Sequence, residues 1–460
     1  MLDKSIIVQL RDIVGQDGLL NTPEDLVAYS FDGTFAEHRP DVVLLPTTTE
    51  QVSKISALAN RERIPVVARG MASGLAAASV PFGGGIALSL TRMNRILEID
   101  EENMVATVEA GVITAHLQAA VEKLGLFYPP DPSSIKQSTI GGNIACNAGG
   151  PRCLKYGITG DYVMGLTVVL SDGRVLKTGG KPIKNVVGYD MTSLFVGSEG
   201  TLGIITEALL KLTTYPQFVR TARAEFSALD DASGTVNAIL SAGIVPATLE
   251  LMDQTAIACI EEAMALGLPL DVEAMLILET DGADEAAVER EIEAIAQICR
   301  ENGAREVSVA QDEDERAKLW RARRSVSPSL ARKAPNKLGE DITVPRSAIP
   351  EAVRRIKAIS AKYDLPIVIF GHAGDGNLHP NILFDKRDPE QWAKIEPMVG
   401  EIFGVALDLE GTLSGEHGVG TLKRPYMEQA LGTTSLEMQQ RIKRVLDPNN
   451  ILNPGKVLPE

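Results

Sequence analysis

Apolar and polar positions alternate with two different periods along this chain, and each switch of period marks an element. Asp41-Val42-Val43-Leu44-Leu45-Pro46 is a short apolar run ended by proline, which predicts a strand. Thr47-Thr48-Thr49-Glu50 offers a capping-box helix start, and Val52, Ile55, Leu58 and Ala59 recur at helical spacing. Ile64-Pro65-Val66-Val67-Ala68 returns to a strand, so residues 41–69 read as one β-α-β passage. Strands are also predicted at Ile86–Leu90 and Met104–Glu109 by alternation, and at Ala274–Glu279. Helical periodicity returns in 284–296, Asp312-Glu313-Asp314-Glu315-Arg316 reads as a solvated helix start, and the N-terminal Met1–Leu10 reads as an amphipathic helix.

Between these elements lie stretches too poor in apolar side chains to build a core. The loop Arg69-Gly70-Met71-Ala72-Ser73-Gly74-Leu75 sits at a strand's carboxyl end, where small residues let backbone N–H groups approach a phosphate or simply make a tight turn. Residues 128–150 hold Tyr128-Pro129-Pro130-Asp131-Pro132-Ser133-Ser134 and two Gly-Gly pairs, Gly141-Gly142 and Gly149-Gly150. Such backbone donors, hydroxyls and amides suit a long polar ligand of dinucleotide type, and the glycines would be entropically costly in a plain surface loop. Phe195–Glu207 packs three more glycines against a strand.

The clearest chemistry lies further on. Leu365–Phe370 reads as a buried strand that delivers His372 at its carboxyl end, and Gly374 and Gly376 then break regular structure. His379-Pro380-Asn381-Ile382-Leu383-Phe384 reads as a second strand, with His379 and Asn381 on one face. Ser414-Gly415-Glu416-His417-Gly418-Val419-Gly420 carries a third of the five histidines. His372, His379 and Glu416 are two imidazoles and a carboxylate, a set that holds a divalent metal and leaves positions open for substrate; His417 beside them is placed to act as a base. The competing reading is a hydrogen-bonded structural cluster.

Composition narrows the class. At 460 residues, 44% of them hydrophobic, with 41 glycines and 25 prolines, the chain reads as a mixed helix-and-sheet enzyme of two or three domains. A net charge of -16 argues against nucleic acid as partner. No apolar stretch reaches the length of a membrane span, and the start lacks a signal-peptide pattern. Cys146, Cys153, Cys259 and Cys299 form no CxxC pair or cluster-ligand run, which predicts a reduced cytoplasmic protein without an iron–sulfur cluster of its own, with peripheral membrane association through a partner left open.

Six stretches in one order carry a resemblance: Pro129–Ser134, Ile140–Gly150, Phe195–Glu207, Gly371–His379, Gly415–Gly420 and the closing Asp447–Lys456. From Pro40 to the end, the chain resembles the FAD-linked oxidoreductases of the vanillyl-alcohol-oxidase (PCMH) type. More closely, it resembles the glycolate oxidase FAD subunit and the D-lactate and D-2-hydroxyglutarate dehydrogenases. The resemblance implies an α+β fold: a two-subdomain FAD-binding domain over 1–217, an α+β cap over 218–412, and a segment 413–460 that returns to the FAD domain.

It also implies roles. Arg69, Gly70, Met71, Ala72, Ser73, Gly74 and Leu75 would bind FAD. So would Pro130, Asp131, Ser134, Thr139, Gly141, Gly142, Asn143, Asn147, Gly150, Tyr156, Gly157, Gly203, Ile205 and Asn453. Ala72, Ala77 and Ala78 stand where relatives usually carry glycine, which puts the first loop's geometry in question. Ser73 stands where covalent relatives carry the linking histidine, so FAD is expected to be non-covalent. His372, His379 and Glu416 would bind zinc, manganese or iron. His417 would be the base, Asn381 would touch the substrate, and Arg323, with Arg321 or Arg324 as alternatives, would bind its carboxylate.

The implied reaction is oxidation of a D-2-hydroxy acid, D-lactate or glycolate, to the 2-oxo acid by hydride transfer to flavin N5, with D-2-hydroxyglutarate as the alternative substrate. Electrons would leave to an iron–sulfur subunit, an electron-transferring flavoprotein or a quinone, and a homodimer is compatible with the family. Three other readings compete. A metal-dependent hydrolase leaves the glycine-rich half without a purpose, a non-catalytic subunit leaves Glu416-His417 without one, and an aldonolactone or alcohol oxidase lacks the metal pattern.

Overall fold

The computed structural model describes residues 2–459, and the chain divides into two units. The first comprises Met1–Gly149, Gly157–Tyr215 and Glu416–Glu460; the second comprises Gly150–Tyr156 and Pro216–Gly415.

The first unit opens with helix α1 (Lys4–Val14), then the short strand β1 (Leu19–Leu20) and strand β2 (Val42–Leu44). Helix α2 (Thr49–Glu62) begins where its cap residues predict: Thr48 accepts from Gln51 N at 3.2 Å, and the Gln51 side chain reaches back to Thr47 N at 2.7 Å. That reciprocal capping contributes about 1 kcal/mol per satisfied cap. Strands β3 (Val66–Arg69) and β4 (Ile86–Ser89) complete a four-stranded sheet in the order β1-β2-β4-β3, parallel from β2 onward. The two strands of the β-α-β passage therefore flank β4 rather than touching.

The apolar stripe of α2 (Val52, Ile55, Leu58, Ala59) packs with Leu10 of α1 on Val42, Leu44, Val66, Ile86 and Leu88. Ile451 and Leu452 enter the same core, and Asn453 N donates to Val66 O at 2.8 Å. The C-terminal tail thus closes on the strand that carries the first glycine loop. A second sheet holds β5 (Ile96–Asp100), β6 (Val105–Glu109), β7 (Val163–Val169), β8 (Val175–Gly179) and β9 (Ile204–Lys211) in the antiparallel order β5-β6-β9-β7-β8. Helix α3 (Ile140–Cys146) is capped by Thr139, which accepts from Gly142 N at 3.2 Å.

The second unit is built on an eight-stranded antiparallel sheet. Its strands are β10 (Phe218–Phe226), β11 (Thr248–Asp253), β12 (Ala274–Gly282), β13 (Ala304–Val309), β14 (Asn336–Gly339), β15 (Ile342–Thr343), β16 (Ile367–His372) and β17 (Asn377–Phe384). They lie in the order β13-β10-β12-β11-β16-β17-β14, with β15 also pairing β17. Every residue of β11, β16 and β17 is buried, which fits central strands covered on both faces. Residues 150–156, which the sequence reading assigned to the first domain, belong here: Lys155 Nζ donates to Asp281 Oδ1 at 2.5 Å, and the Tyr156 hydroxyl to Asp281 Oδ2 at 2.7 Å.

Candidate active site

His372 ends β16, and His379 lies two residues into β17. Side chains opposite one another in an antiparallel pair share a face. The register sets Glu250 beside His372, His372 beside Asn377, and Met252 in line with Phe370 and His379. One face of three adjacent strands therefore carries Glu250, His372 and His379. On the same face the apolar cluster of Met252, Met275, Ile277, Val368, Phe370 and Leu383 packs under the helix α4 (Gln254–Met264).

The turn between the two histidines depends on glycine at one point. Gly376 has φ +86°, and a Cβ there would meet Val344 O at 2.1 Å. The rings of His372 and His379 stand edge to face, with centroids 5.2 Å apart and planes at 86°, and His379 packs on Phe370 at 5.6 Å. Gly415, the last residue of this unit, sits so close to Thr343 and Asn377 that an added Cβ would meet their side chains at 2.4 and 2.5 Å. Glu416 follows directly. The ligand atoms of His372, His379 and Glu416 all lie within 4.8 Å of one another. That is close to the span that bonds of about 2.1 Å to one shared ion allow. Two imidazoles and a carboxylate form a donor set for zinc, iron or manganese, so the residues present fit a divalent cation.

Helix α5 (Glu313–Arg324), capped by Asp312, turns one stripe onto this sheet. Trp320 Nε1 donates to Glu279 Oε2 at 2.7 Å, and one turn later Arg323 Nε donates to Glu250 Oε2 at 2.5 Å. The other oxygen of Glu250 lies 2.6 Å from His372 Nδ1. Burial pushes the Glu250 carboxyl up, but Arg323 and His372 outweigh it and hold it below its usual range. Of the three arginines that the sequence offered, Arg321 and Arg324 are exposed and only Arg323 is buried, stacked 5.0 Å over Phe370. Its two Nη groups donate to no protein acceptor among the described residues. Asn381 is buried and donates to His379 O at 2.8 Å.

Two residues of this face escaped the sequence reading. Glu250 lies in Thr248-Leu249-Glu250-Leu251-Met252-Asp253, where an acid between two leucines ordinarily marks a strand with one solvated face. Lys337 on β14 pairs in register with Leu383, on the His379 face, and burial lowers its ammonium pKa.

His417 belongs to the first unit, in a loop held by Glu199. That buried carboxylate accepts from Val419 N at 2.6 Å and Gly420 N at 2.8 Å. Burial raises its pKa, against the pull of those N–H groups and of Lys423 and Lys456. Gly420 has φ +52°, and a Cβ there would meet Ala76 O at 1.7 Å. The His417 ring stays half-buried, its Nε2 3.6 Å from Glu416 Oε1.

The residues expected to bind FAD divide by what they already do. Arg69 spends its guanidinium on Tyr29 O and Phe31 O, at 2.8 and 3.2 Å, so it braces the loop from behind. Asn143 donates to Thr114 Oγ1 at 2.7 Å, Asn147 accepts from Gly160 N at 2.8 Å, and Asn453 donates to Ala78 O and Glu199 O. Gly203 and Ile205 are buried, and a Cβ on Gly203 would meet Val168 at 2.4 Å. Pro130 O accepts from Gln118. Tyr156 stands in the second unit, bonded to Asp281.

By contrast, the backbone N–H groups of Met71, Ala72, Ser73, Gly74 and Leu75 donate to no acceptor among the described residues. Nothing lies within 4 Å of the Cβ position of Gly74. Five successive unspent donors at a parallel strand's carboxyl end fit a pyrophosphate. Ala72 and Ala77, flagged for standing in place of glycine, do adopt left-handed φ values of +53° and +60°; Ala78 does not. Such a conformation costs about 1–2 kcal/mol in an L-residue. Ala72→Gly is therefore expected to raise stability by about 0.5–1 kcal/mol after the entropy of glycine is subtracted, read as a higher melting temperature.

Two family models together match most of the chain. Residues 40–179 match the FAD binding domain family and residues 215–457 the C-terminal domain of FAD linked oxidases. The chain is 47% identical over 458 residues to the glycolate oxidase subunit GlcD of Bacillus subtilis, covering 99% of this chain and 97% of that protein. It is 36% identical over 430 residues to a D-lactate dehydrogenase of Anaerostipes hadrus, covering 92% and 90%. Among solved structures, p-cresol methylhydroxylase with substrate bound is similar with a TM-score of 0.82 at 19% identity, over 98% of this chain and 96% of that one, which speaks for the fold alone. With an FAD-binding domain in the glycine-rich half, the hydrolase reading loses its basis. The chain belongs to the FAD-linked oxidase family and is an oxidoreductase with an FAD-binding domain and a separate C-terminal oxidase domain.

Proposed function

We propose that this protein oxidises a D-2-hydroxy acid, D-lactate or glycolate, to the 2-oxo acid and passes the electrons to a partner protein or a quinone. The observation that carries the reading is the grouping of His372, His379 and Glu416, with buried Arg323 on the same network through Glu250. An α-hydroxy carboxylate needs one centre for its hydroxyl and one cation for its carboxylate, and this arrangement offers both. The names of the relatives, glycolate oxidase subunit and D-lactate dehydrogenase, support the same substrate class.

The residues divide the work. His372, His379 and Glu416 would hold a divalent cation, which supplies a Lewis acid that lowers the pKa of the substrate hydroxyl. Arg323 binds the substrate carboxylate through its two Nη groups, in the fork geometry that suits a carboxylate. Lys337 adds a second positive charge on the same face, and Asn381 borders the substrate beside His379. His417 takes the hydroxyl proton and, being half-buried, can return it to solvent. Met71–Leu75 hold the pyrophosphate of FAD, non-covalently since position 73 is serine. Bound FAD supplies the acceptor for the α-hydrogen and its electron pair.

The partner rests on the relatives being named as a subunit and on the lack of any cluster-ligand run among the four cysteines. No helix of the described residues is long and apolar enough to cross a membrane.

An anaerobic visible spectrum of the purified protein, recorded before and after D-lactate, glycolate and L-lactate, tests the reading. A flavin band that bleaches with D-lactate or glycolate and not with L-lactate is expected. A band that ignores all three but bleaches with D-2-hydroxyglutarate would move the substrate to that acid. No bleaching with any of the four would sink the reading.

A further inference from the structure

We propose that Glu250 and Arg323 form a positioning pair for His372: the Glu250 carboxylate holds the Nδ1–H of the ring and so presents Nε2, while Arg323 balances the buried charge of that carboxylate. The inference rests on the reading of His372 as a metal ligand.

The geometry places the shared hydrogen between Glu250 and His372 on the ring. Glu250 has no exposed surface, and each of its oxygens is spent on one partner, Oε1 at 2.6 Å from His372 Nδ1 and Oε2 at 2.5 Å from Arg323 Nε. An ionised carboxylate only accepts, and the guanidinium against Oε2 keeps that carboxylate ionised. The hydrogen between Glu250 and His372 therefore belongs to the ring. A neutral imidazole protonated at Nδ1 carries its lone pair on Nε2, the other side of the ring. With the opposite tautomer, two lone pairs would face each other across 2.6 Å.

Register supplies the rest. Glu250 and His372 are directly opposed on β11 and β16, so the carboxylate is aimed at the ring by the sheet itself. Arg323 arrives from the α5 stripe and is further fixed by its stacking over Phe370. Arg323 then serves two partners through different atoms: Nε secures Glu250, and the Nη groups remain for substrate. Outer carboxylates of this kind orient ligating imidazoles and raise their basicity, and losing one costs about 10–100-fold in metal affinity.

The test compares two paired variants in metal-stripped protein labelled with [15N]histidine, whose five histidines keep the spectrum simple. Glu250→Leu/Arg323→Met removes both charges together, so that neither is left buried alone. Glu250→Gln/Arg323→Met restores only an acceptor for Nδ1. Zinc affinity is read by chelator competition and the tautomer by the 15N shifts of His372.

Wild type is expected to show the Nδ1–H form. The Leu/Met variant should lose that form and bind zinc about 10–100-fold more weakly, and the Gln/Met variant should recover both to within about fivefold. A Leu/Met variant that keeps the Nδ1–H form or wild-type zinc affinity overturns the proposal. His372→Ala separates the underlying reading: if it binds zinc as wild type does, His372 is no ligand and that reading fails. If it loses zinc while the Leu/Met variant does not, only the positioning role fails.

Discussion

His417→Ala is expected to retain bound FAD while reduction of the flavin by substrate slows by about 10²- to 10⁴-fold, the range a positioned proton acceptor contributes. The separation follows from where the residue sits. Its loop is anchored through Glu199, which accepts from Val419 N and Gly420 N, and through Gly420 packed on Ala76. These contacts run through Glu199, backbone N–H groups and Gly420 rather than through the imidazole, so they survive truncation of the ring. The unspent donors of Met71–Leu75 lie in another segment, so FAD content should not change.

The pH profile sharpens the test. A base must be deprotonated to act, so wild-type flavin reduction should rise with pH through the titration of one group, and the variant should lose that limb. Stopped-flow absorbance of the flavin band under anaerobic conditions measures both. Reduction within about threefold of wild type, with the pH limb intact, would remove His417 from the chemistry. His417→Gln should behave as the alanine variant does, because an amide cannot take up a proton at neutral pH.

What could be read from the sequence was whatever has a local cause. Thr48 caps its helix because its oxygen reaches a backbone N–H three residues on, and Asp312 does the same. The strand ending at His372 and the shared face of His379 and Asn381 follow from an apolar run and a period of two. Glu250 had no such signal. Its partners stand 122 and 73 positions away, and only the pairing of β11 with β16 and the approach of α5 bring the three together.

The same limit hid what Arg69 does. An arginine heading a glycine loop suggests a phosphate ligand, yet the fold turns its guanidinium back onto carbonyls 38 and 40 positions earlier. Residues 150–156 followed the glycine stretch in sequence but went to the second unit, because Asp281 supplies two strong acceptors for Lys155 and Tyr156. Charge-assisted contacts between distant segments decided each of these cases, and no window of sequence contains them.

On the proposed reading, loss of a metal ligand should be as legible as loss of the base, and in a different observable. His379→Ala is expected to leave the purified protein with flavin but without stoichiometric metal. As one of three proposed ligands, the imidazole should cost more on removal than the about 10–100-fold that an outer partner costs. Two ligands, His372 and Glu416, are too few to retain an ion through dialysis at ordinary concentrations. The fold should survive. His379 is buried beside Phe370 and His372, so an alanine leaves a small cavity worth about 1–3 kcal/mol, well below the stability of a domain of this size. β17 keeps its ladder to β16 and β14, since those bonds are backbone bonds. Elemental analysis of dialysed protein, normalised to flavin absorbance, gives the ratio directly. One metal per flavin in the variant would contradict His379 as a ligand and would return the two histidines to a structural role, with Glu250 holding His372 for packing alone. A ratio near zero, with flavin retained, would tie this face of the sheet to the metal and make the register of β11, β16 and β17 the physical origin of the site.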